Sequence, residues 1–308
     1  MSLARMTLGF LITIAIITGC ESSAQIIIDG DVILKGPIKS IEINTYKPNY
    51  RDSNITKGEL VNSSGLTLMG GGGKLIFNEE GKRIGLINYK NGSTDPAYYV
   101  ANEYSNGNVT KSYTYTTPSK EVLVDKIERE YDTENREVLT RYFEASYCEE
   151  NQLWLTSKYN LEYNNHNDLI KQIDSSFVHY DCDDIRIRAK VREHHHKYEN
   201  ELKTEDDSYS YEYDKDGNLV KKLEKSNPTI YYEYYPSGVR KKKYLGPENY
   251  DEFDKDGYYK KSVVALRKGD EYIFRYSKYD VHGNWTQMII YEDGRPYLIG
   301  ERSITYYD

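Results

Sequence analysis

The chain has 308 residues, of which 33 are Tyr and only 6 are Phe, so almost every aromatic side chain carries a hydroxyl group. Lys and Arg together number 41 against 49 Asp and Glu, which gives a formal net charge of −8. A chain of this sign has no general attraction to phosphate backbones, so the composition excludes an electrostatic nucleic-acid binder.

The first twenty residues have the pattern of an export signal. Residues 8–18 form an apolar run, and Arg5 is the only charge before Glu21. The run is shorter than the ~20 apolar residues that span a bilayer, so it is typical of the h-region of a signal peptide. It ends in Ile17-Thr18-Gly19-Cys20, which resembles the bacterial lipobox, in which the cysteine is diacylated and becomes the new N-terminus.

This resemblance sets the expected organisation of the chain. We expect a lipoprotein signal peptide over 1–19, a lipidated tether over 20–33 and one β domain over 34–308. Two or three acyl chains, palmitate among them, anchor a protein stably to a membrane. The resemblance also implies the outer membrane, because Glu21 follows the cysteine where retained inner-membrane lipoproteins carry Asp. Whether the domain faces the periplasm or the cell surface is left open.

A repeated segment follows, and each copy has the pattern of a β-hairpin. Tyr209, Tyr211 and Tyr213 alternate with polar residues, which is the period of two expected of a strand. In the following turn, Asp214 is placed to bond the backbone ahead of it, and Gly217 supplies the positive φ that closes a type I turn with a bulge. Aligned on this glycine, the copies cover 75–89, 101–115, 128–142, 161–173, 209–223, 231–245, 250–264 and 276–290. Their turn residues are Gly81, Gly107, Asn135, Asn167, Gly217, Gly238, Gly257 and Gly283.

The motif Tyr-x-Tyr/Phe-Asp-x-x-Gly-Asn resembles the YD repeat of the RHS and teneurin group, and the resemblance covers residues 34–308. It implies an all-β fold: an antiparallel meander of consecutive hairpins in one large curved sheet, with roughly twenty strands. In the large RHS proteins such a sheet winds into a shell around cargo. This chain is too short for a closed shell and lacks the protease-like core segment of those proteins, so the resemblance leaves its role open.

Two segments need a separate interpretation. Residues 123–139 have helical charge spacing but also carry the aromatic-Asp turn pattern, so we expect strand there. Glycines 70–73 predict a flexible break that separates an N-terminal cap from the main sheet.

Once Cys20 carries lipid, Cys148 and Cys182 remain, an even pair for an oxidising compartment. Strands predicted at 139–148, 153–163 and 168–180 bring both cysteines to the same end of the sheet. Strands two apart are separated by ~9.5 Å, too far for a bridge between the strands themselves. A disulfide therefore forms only if both cysteines lie in loop ends, and the sequence leaves this open.

We expect neither a metal nor another cofactor. Asp214, Asp216 and Asn218 imitate the start of a calcium loop, but Leu219 and Lys225 occupy its required Gly and Glu positions. Of the consecutive His194, His195 and His196, only the first and third share a face of a strand, and a solvated strand is the favoured interpretation. An exposed loop likewise explains the acidic cluster of Asp181, Asp183 and Asp184 better than a cation site does.

No catalytic motif is present in the sequence, so we expect a binding protein rather than an enzyme. The favoured hypothesis is a binding or scaffolding role in which tyrosine-bearing sheet faces contact an envelope protein partner. The first alternative is capture of a surface glycan, with Trp154 or Trp285 as the stacking platform. The second alternative, from another class, is a hydrolase that uses turn carboxylates.

Overall fold

The computed structural model describes residues 26–28, 32–51, 54–64, 71–146, 152–178, 188–224, 230–246, 248–264 and 270–308. Within these ranges the regular secondary structure consists of 25 strands and no helix. Among the same residues, none lies in a helix of the length and apolar character needed to cross a membrane.

The strands follow one another at short intervals along the chain. The first thirteen are β1 Ile26–Ile28, β2 Val32–Leu34, β3 Ile38–Arg51, β4 Asn54–Leu60, β5 Ser63–Ser64, β6 Gly71–Phe77, β7 Arg83–Tyr89, β8 Pro96–Ser105, β9 Asn108–Tyr115, β10 Leu123–Tyr131, β11 Glu137–Ala145, β12 Leu153–Tyr163 and β13 Leu169–Val178. The remainder are β14 Arg188–His195, β15 Lys197–Glu199, β16 Leu202–Glu205, β17 Tyr209–Tyr213, β18 Leu219–Glu224, β19 Ile230–Tyr234, β20 Arg240–Tyr244, β21 Tyr250–Phe253, β22 Tyr259–Val264, β23 Asp270–Tyr279, β24 Trp285–Glu292 and β25 Arg295–Tyr306.

One sheet contains all but the first two strands, and neighbours in sequence are neighbours in space. The long strand β3 pairs with β6 on one side and with the last strand, β25, on the other, so the sheet order returns to its start. This arrangement confirms the predicted all-β antiparallel meander in one curved sheet. The segment 123–139 is strand β10, a turn and the start of β11, as expected. Strands β1 and β2 form a separate hairpin within and just beyond the predicted tether.

The predicted flexible break at glycines 70–73 is wrong, because Gly71 to Gly73 begin strand β6. That strand pairs with β3, so the N-terminal residues belong to the main sheet rather than to a separate cap. A Cβ atom on Gly72 would lie 2.1 Å from the side-chain carbon Cγ of the buried Asn62. Asn62 itself accepts a hydrogen bond from the backbone N–H of Thr45 at 2.7 Å. Glycine is therefore needed here for close approach, not for flexibility.

The hairpin turns have the predicted geometry. All eight predicted turn residues have positive φ, between 67° and 86°. Oδ1 of Asp214 accepts the backbone N–H groups of Asp216 and Asn218, each at 2.9 Å. The equivalent acceptor makes the same pair of bonds in four other turns, at Asp132, Asn164, Asp254 and Asp280. The acids of the apparent calcium motif are thus turn-forming acids.

A hairpin that the repeat pattern does not predict lies in the long interval between Asn167 and Gly217. Asn200 and Glu201 have φ of 50° and 66° and join β15 to β16. Two successive positive φ values are typical of a type I′ turn, for which the sequence Asn-Glu is a weak signal because Glu rarely adopts this conformation. The sequence pattern missed this turn for that reason.

The buried core lies where the first and last strands meet. Its members are Leu34, Ile38, Ile41, Leu75, Phe77, Tyr258, Phe274, Trp285, Met288, Ile290 and Leu298. They come from the residues around β3, from β6 and from the chain between Gly257 and β25. In the described strands far from this seam, most side chains are half-buried in patterns that do not alternate sharply, as in β9, β18 and β20. Among the described residues there is no helix, and the only strands outside this sheet are β1 and β2, so no second layer covers these strands.

A row of tyrosine hydroxyl groups, the tyrosine ladder, links successive hairpins. Each hydroxyl donates to a backbone carbonyl group in the preceding hairpin, at 2.8–2.9 Å. The pairs are Tyr104 to Arg83, Tyr131 to Val109, Tyr163 to Glu137, Tyr213 to Lys203, Tyr234 to Leu219 and Tyr276 to Tyr259. In each of the six pairs the acceptor follows a positive-φ turn residue by two positions.

The ladder gives six of the 33 tyrosines a role that Phe could not fill. A phenylalanine would fill the same space but leave the carbonyl acceptor without this donor. Phe253 occupies the position before the turn acid in its hairpin, and there the neighbouring Tyr235 donates its hydroxyl to the Phe253 carbonyl at 2.9 Å. This bond runs from the preceding hairpin to Phe253, opposite to the direction of the ladder bonds, so it does not replace the bond that a tyrosine at position 253 would donate.

Replacing Tyr131 by Phe should lower the free energy of unfolding by about 1 kcal/mol, because the Val109 carbonyl loses its side-chain donor while the ring packing is kept. Urea denaturation followed by circular dichroism measures this change. Tyr279→Phe is the matched control, because Tyr279 is 55% exposed and should lose far less. Equal losses in the two variants would contradict a stabilising role for the ladder.

Candidate functional site

The two tryptophans occupy different environments. Trp154 is half-buried in β12 opposite Glu144, and its Nε1 donates to Oε1 of Gln152 at 3.1 Å. Trp285 is 1% exposed; the Tyr276 ring lies 5.4 Å from it and the Arg302 guanidinium carbon 3.5 Å above it. Because the Trp285 ring is enclosed in the core, it is not available to stack on an external ligand. Its prediction as a binding platform is wrong.

Several predicted residues lie outside the described ranges. These are the lipidation residue Cys20, the candidate disulfide pair Cys148 and Cys182, and the acidic cluster Asp181, Asp183 and Asp184.

The histidine run forms a cluster with two aspartates that the sequence did not indicate. His194 in β14 has Nδ1 2.7 Å from Oδ2 of Asp207 and Nε2 3.1 Å from Oδ2 of Asp174. Asp174 comes from β13 and Asp207 from the residues before β17, so one imidazole contacts two separate elements. Contacts between residues 13 to 20 positions apart depend on strand register, which the local sequence does not reveal.

The chain changes partner strand at His196. Strand β14 pairs with β13 before this residue, and β15 pairs with β16 after it. Both ring nitrogens of His196 are buried without a hydrogen-bond partner among the described residues. The predicted solvated strand therefore holds for His195, whose side chain is 63% exposed, but not for His196. Burial lowers the pKa of His196, and the positive charge of Lys203 lowers it further.

This cluster has the chemistry of a structural contact. Within the described residues, no group of three or more His, Cys, Asp or Glu side chains is placed to hold a metal ion. Asp206, next to Asp207, accepts from the Tyr211 hydroxyl and from Nζ of Lys203, each at 2.7 Å. Burial raises the pKa of Asp206, but these hydrogen bonds outweigh it and hold the pKa below its usual range.

The lowered pKa of His196 makes the stability of the fold dependent on pH. Below the ordinary value of 6.5 the unfolded chain binds a proton at His196 that the folded chain resists, so the free energy of unfolding should fall as pH drops from 7 to 5. In His196→Gln this part of the fall should disappear. Urea denaturation across that pH range measures it, with His195→Gln as the control. A wild-type slope in the His196→Gln variant would contradict this assignment.

A second candidate site is a row of tyrosines on the sheet face opposite the core. Tyr231, Tyr244 and Tyr250 lie directly opposite one another on β19, β20 and β21, and we call them the outer tyrosine stripe. Cross-strand partners point to the same face. Tyr272 packs against the core, and its cross-strand partner is Ser262. Ser262 is in turn the cross-strand partner of Asp251, so Asp251 points to the core face as well. Asp251 follows Tyr250 in the same strand. Tyr250, and with it the stripe, therefore points to the other face.

Charged side chains border the stripe and hold its rings in place. Nζ of Lys242 lies 4.9 Å from the centroid of the Tyr250 ring, and Nζ of Lys221 lies 5.9 Å from that of Tyr231. The Tyr244 hydroxyl donates to Oε1 of Glu233 at 2.7 Å, and this hydrogen bond raises the pKa of Tyr244 to about 12. The Tyr231 side of the stripe remains open, since that residue is 48% exposed. The arrangement is an ordered aromatic surface with a charged rim.

No family model matches the chain, and no curated protein matches it. A DUF3836 family protein from Bacteroides vulgatus aligns at 11% identity over 31% of this chain and 96% of that chain, with a TM-score of 0.23. A porin-like protein from Bacteroides uniformis aligns at 14% identity over 87% of this chain and 98% of that one, with a TM-score of 0.25.

A third similar structure is the Photorhabdus luminescens Tc holotoxin pore, which aligns at 13% identity with a TM-score of 0.30. The alignment covers 80% of this chain but only 14% of the toxin chain. At these TM-scores the three likenesses carry no inference about the function of this chain.

Proposed function

We propose that this chain is a non-catalytic binding protein, anchored to the bacterial outer membrane through lipid on Cys20, that presents the outer tyrosine stripe to a protein partner in the envelope. The observation that carries the proposal is the direct register of Tyr231, Tyr244 and Tyr250 on the face opposite the core. The YD-type turn motif supports a scaffold made of repeated hairpins, and the lipobox-like residues 17–20 support the proposed lipid anchor in the membrane.

The stripe has the anatomy of a protein interface. Interface centres are enriched in aromatic residues and depleted of charge, while the rim is polar. Tyrosine gives a large contact area with little conformational entropy to lose on binding, and the hydrogen bond from Tyr244 to Glu233 already restricts one ring. Lys and Glu side chains around the stripe supply both signs of charge, as in the pair Lys221 and Glu212 at 2.7 Å. These features favour a partner with a mixed-charge rim of its own.

The turn carboxylates support a binding role over a hydrolase. The Oδ1 atoms of Asp132 and Asp214 accept hydrogen bonds from backbone N–H groups of their own turns. A backbone hydrogen bond from Arg136 lowers the pKa of Asp132, and a hydrogen bond from the Asn218 side chain lowers the pKa of Asp214. A general acid needs a pKa near the operating pH, so the shift of these two carboxyl groups is in the opposite direction. Burial raises the pKa of Asp254, but its Oδ1 makes the same two turn bonds.

Cys20→Ala should move the protein from the membrane fraction to the soluble fraction, because the acyl chains supply the anchor. Fractionation of cells measures the partition, and mass spectrometry of the native protein should show an acylated N-terminal cysteine. A Cys20→Ala variant that still fractionates with the outer membrane would contradict lipid anchoring.

Substituting the stripe should remove the partner. We expect affinity purification of the detergent-solubilised full chain to recover a stoichiometric envelope protein, and Tyr231→Ala combined with Tyr250→Ala to reduce that recovery at least about tenfold, since aromatic hot spots contribute 2 kcal/mol or more. Tyr279→Ala, an equally exposed position elsewhere, is the matched control. Recovery of the same partner by the stripe variant and the control would contradict the proposal, as would a wild-type protein that is monomeric and without a partner.

A further inference from the structure

A cleft lies at the end of the sheet where β24 turns into β25. It has a volume of about 520 Å³ and is lined by Tyr50, Glu292, Asp293, Arg295, Pro296 and Tyr297. Two of the lining residues are exposed tyrosines: Tyr50 is 62% exposed and Tyr297 is 44% exposed. We propose that this Tyr50–Tyr297 cleft binds a neutral saccharide, with the tyrosine rings stacking on sugar C–H faces and the carboxylates accepting sugar hydroxyl groups.

Contacts within the protein hold the two tyrosine rings of the cleft. The Tyr50 hydroxyl donates to the Pro296 carbonyl at 2.6 Å, which fixes the ring of Tyr50 against the start of β25. The ring of Tyr272 lies 6.0 Å from that of Tyr297 and limits its movement. Because these rings are held before binding, little rotamer entropy remains to be lost.

The two acids are oriented as well. Oε1 of Glu292 accepts from the Tyr272 hydroxyl at 2.6 Å, which leaves its second oxygen for other donors. Oδ1 of Asp293 accepts the backbone N–H of Glu271 at 3.2 Å, and the Asp293 backbone has φ of 47°. A side-chain hydroxyl therefore positions the Glu292 carboxylate, and a backbone N–H positions that of Asp293.

The mixture of groups favours a polyhydroxyl ligand. Glu292 and Asp293 supply acceptors, Arg295 supplies donors, and the exposed tyrosine rings supply apolar surface. A sugar presents hydroxyl groups that both donate and accept, together with C–H faces that pack on aromatic rings. An anionic ligand would meet two carboxylates against one guanidinium group. A neutral polyhydroxyl ligand can hydrogen-bond to all three charged groups, whereas a cation would use only the two carboxylates. The volume lies within the range of small-molecule sites.

This cleft is separate from the outer tyrosine stripe, so its ligand does not depend on the proposed protein partner. It also differs from the glycan platform expected from sequence, because neither Trp154 nor Trp285 lines it. The register of β25 with β3 creates it, since that pairing brings Tyr50 next to residues 292–297 across 246 positions of sequence.

Native electrophoresis of the full chain in neutral detergent tests the proposal. The gels contain starch, dextran, xylan, mannan or laminarin, and soluble oligomers of N-acetylglucosamine are tested by calorimetry. We expect at least one of these neutral glycans to retard or bind the protein, and Tyr297→Ala to weaken that binding about tenfold, the loss for one aromatic contact. Glu292→Gln should also weaken it, and the exposed Tyr279→Ala should leave it unchanged.

Absence of binding to every glycan in the set would overturn the proposal, as would binding that survives in both Tyr297→Ala and Tyr50→Ala. Retardation by poly-lysine alone, removed by Tyr297→Ala, would reassign the cleft to a cationic peptide and would also overturn it. Circular dichroism of each variant identifies misfolding. Tyr50→Phe, which keeps the ring but loses the bond to Pro296, gives a second test because binding should weaken less than in Tyr50→Ala.

Discussion

The part of this sheet that lies away from the seam of β3, β6 and β25 depends on one contact. This contact is the hydrogen bond from a tyrosine hydroxyl to a backbone carbonyl group of the preceding hairpin. Described strands far from the seam, such as β9, β18 and β20, have half-buried side chains, so burial contributes less there than in the core. Each ladder bond contributes on the order of 1 kcal/mol, and a domain is stable by only about 5–15 kcal/mol. The six bonds from Tyr104 to Tyr276 therefore matter at the scale of the whole fold.

The seam stabilises the sheet in another way. An open meander exposes two edge strands, and the seam covers them. Strand β3 pairs with both β6 and β25, so the first and last parts of the domain cover each other's edges and share the buried core. Asn284 completes this joint: it is buried, and its side-chain amide bonds both the N–H and the C=O of Lys35. The Tyr50–Tyr297 cleft is a product of the same joint.

Much of the fold could be predicted because its signals are local. Alternating tyrosines specify strands, and the Asp-x-x-Gly pattern specifies turns, so each of the eight turn positions from Gly81 to Gly283 was identified from its own neighbourhood. The candidate sites were not predictable in this way. Trp285 was expected at a surface and lies in the core, and His194 contacts Asp174 and Asp207, which come from other hairpins.

The all-β class, the hairpin repeat and the turn residues can be derived from the sequence alone, because hydrophobic alternation and positive-φ chemistry act over a few residues. Three features required the folded structure: the face that each tyrosine occupies relative to the core, the close approach of Gly72 to Asn62, and the contact of Tyr50 with Pro296. These depend on strand register and on the pairing of β3 with β25, and a shift of one residue in register would exchange the faces.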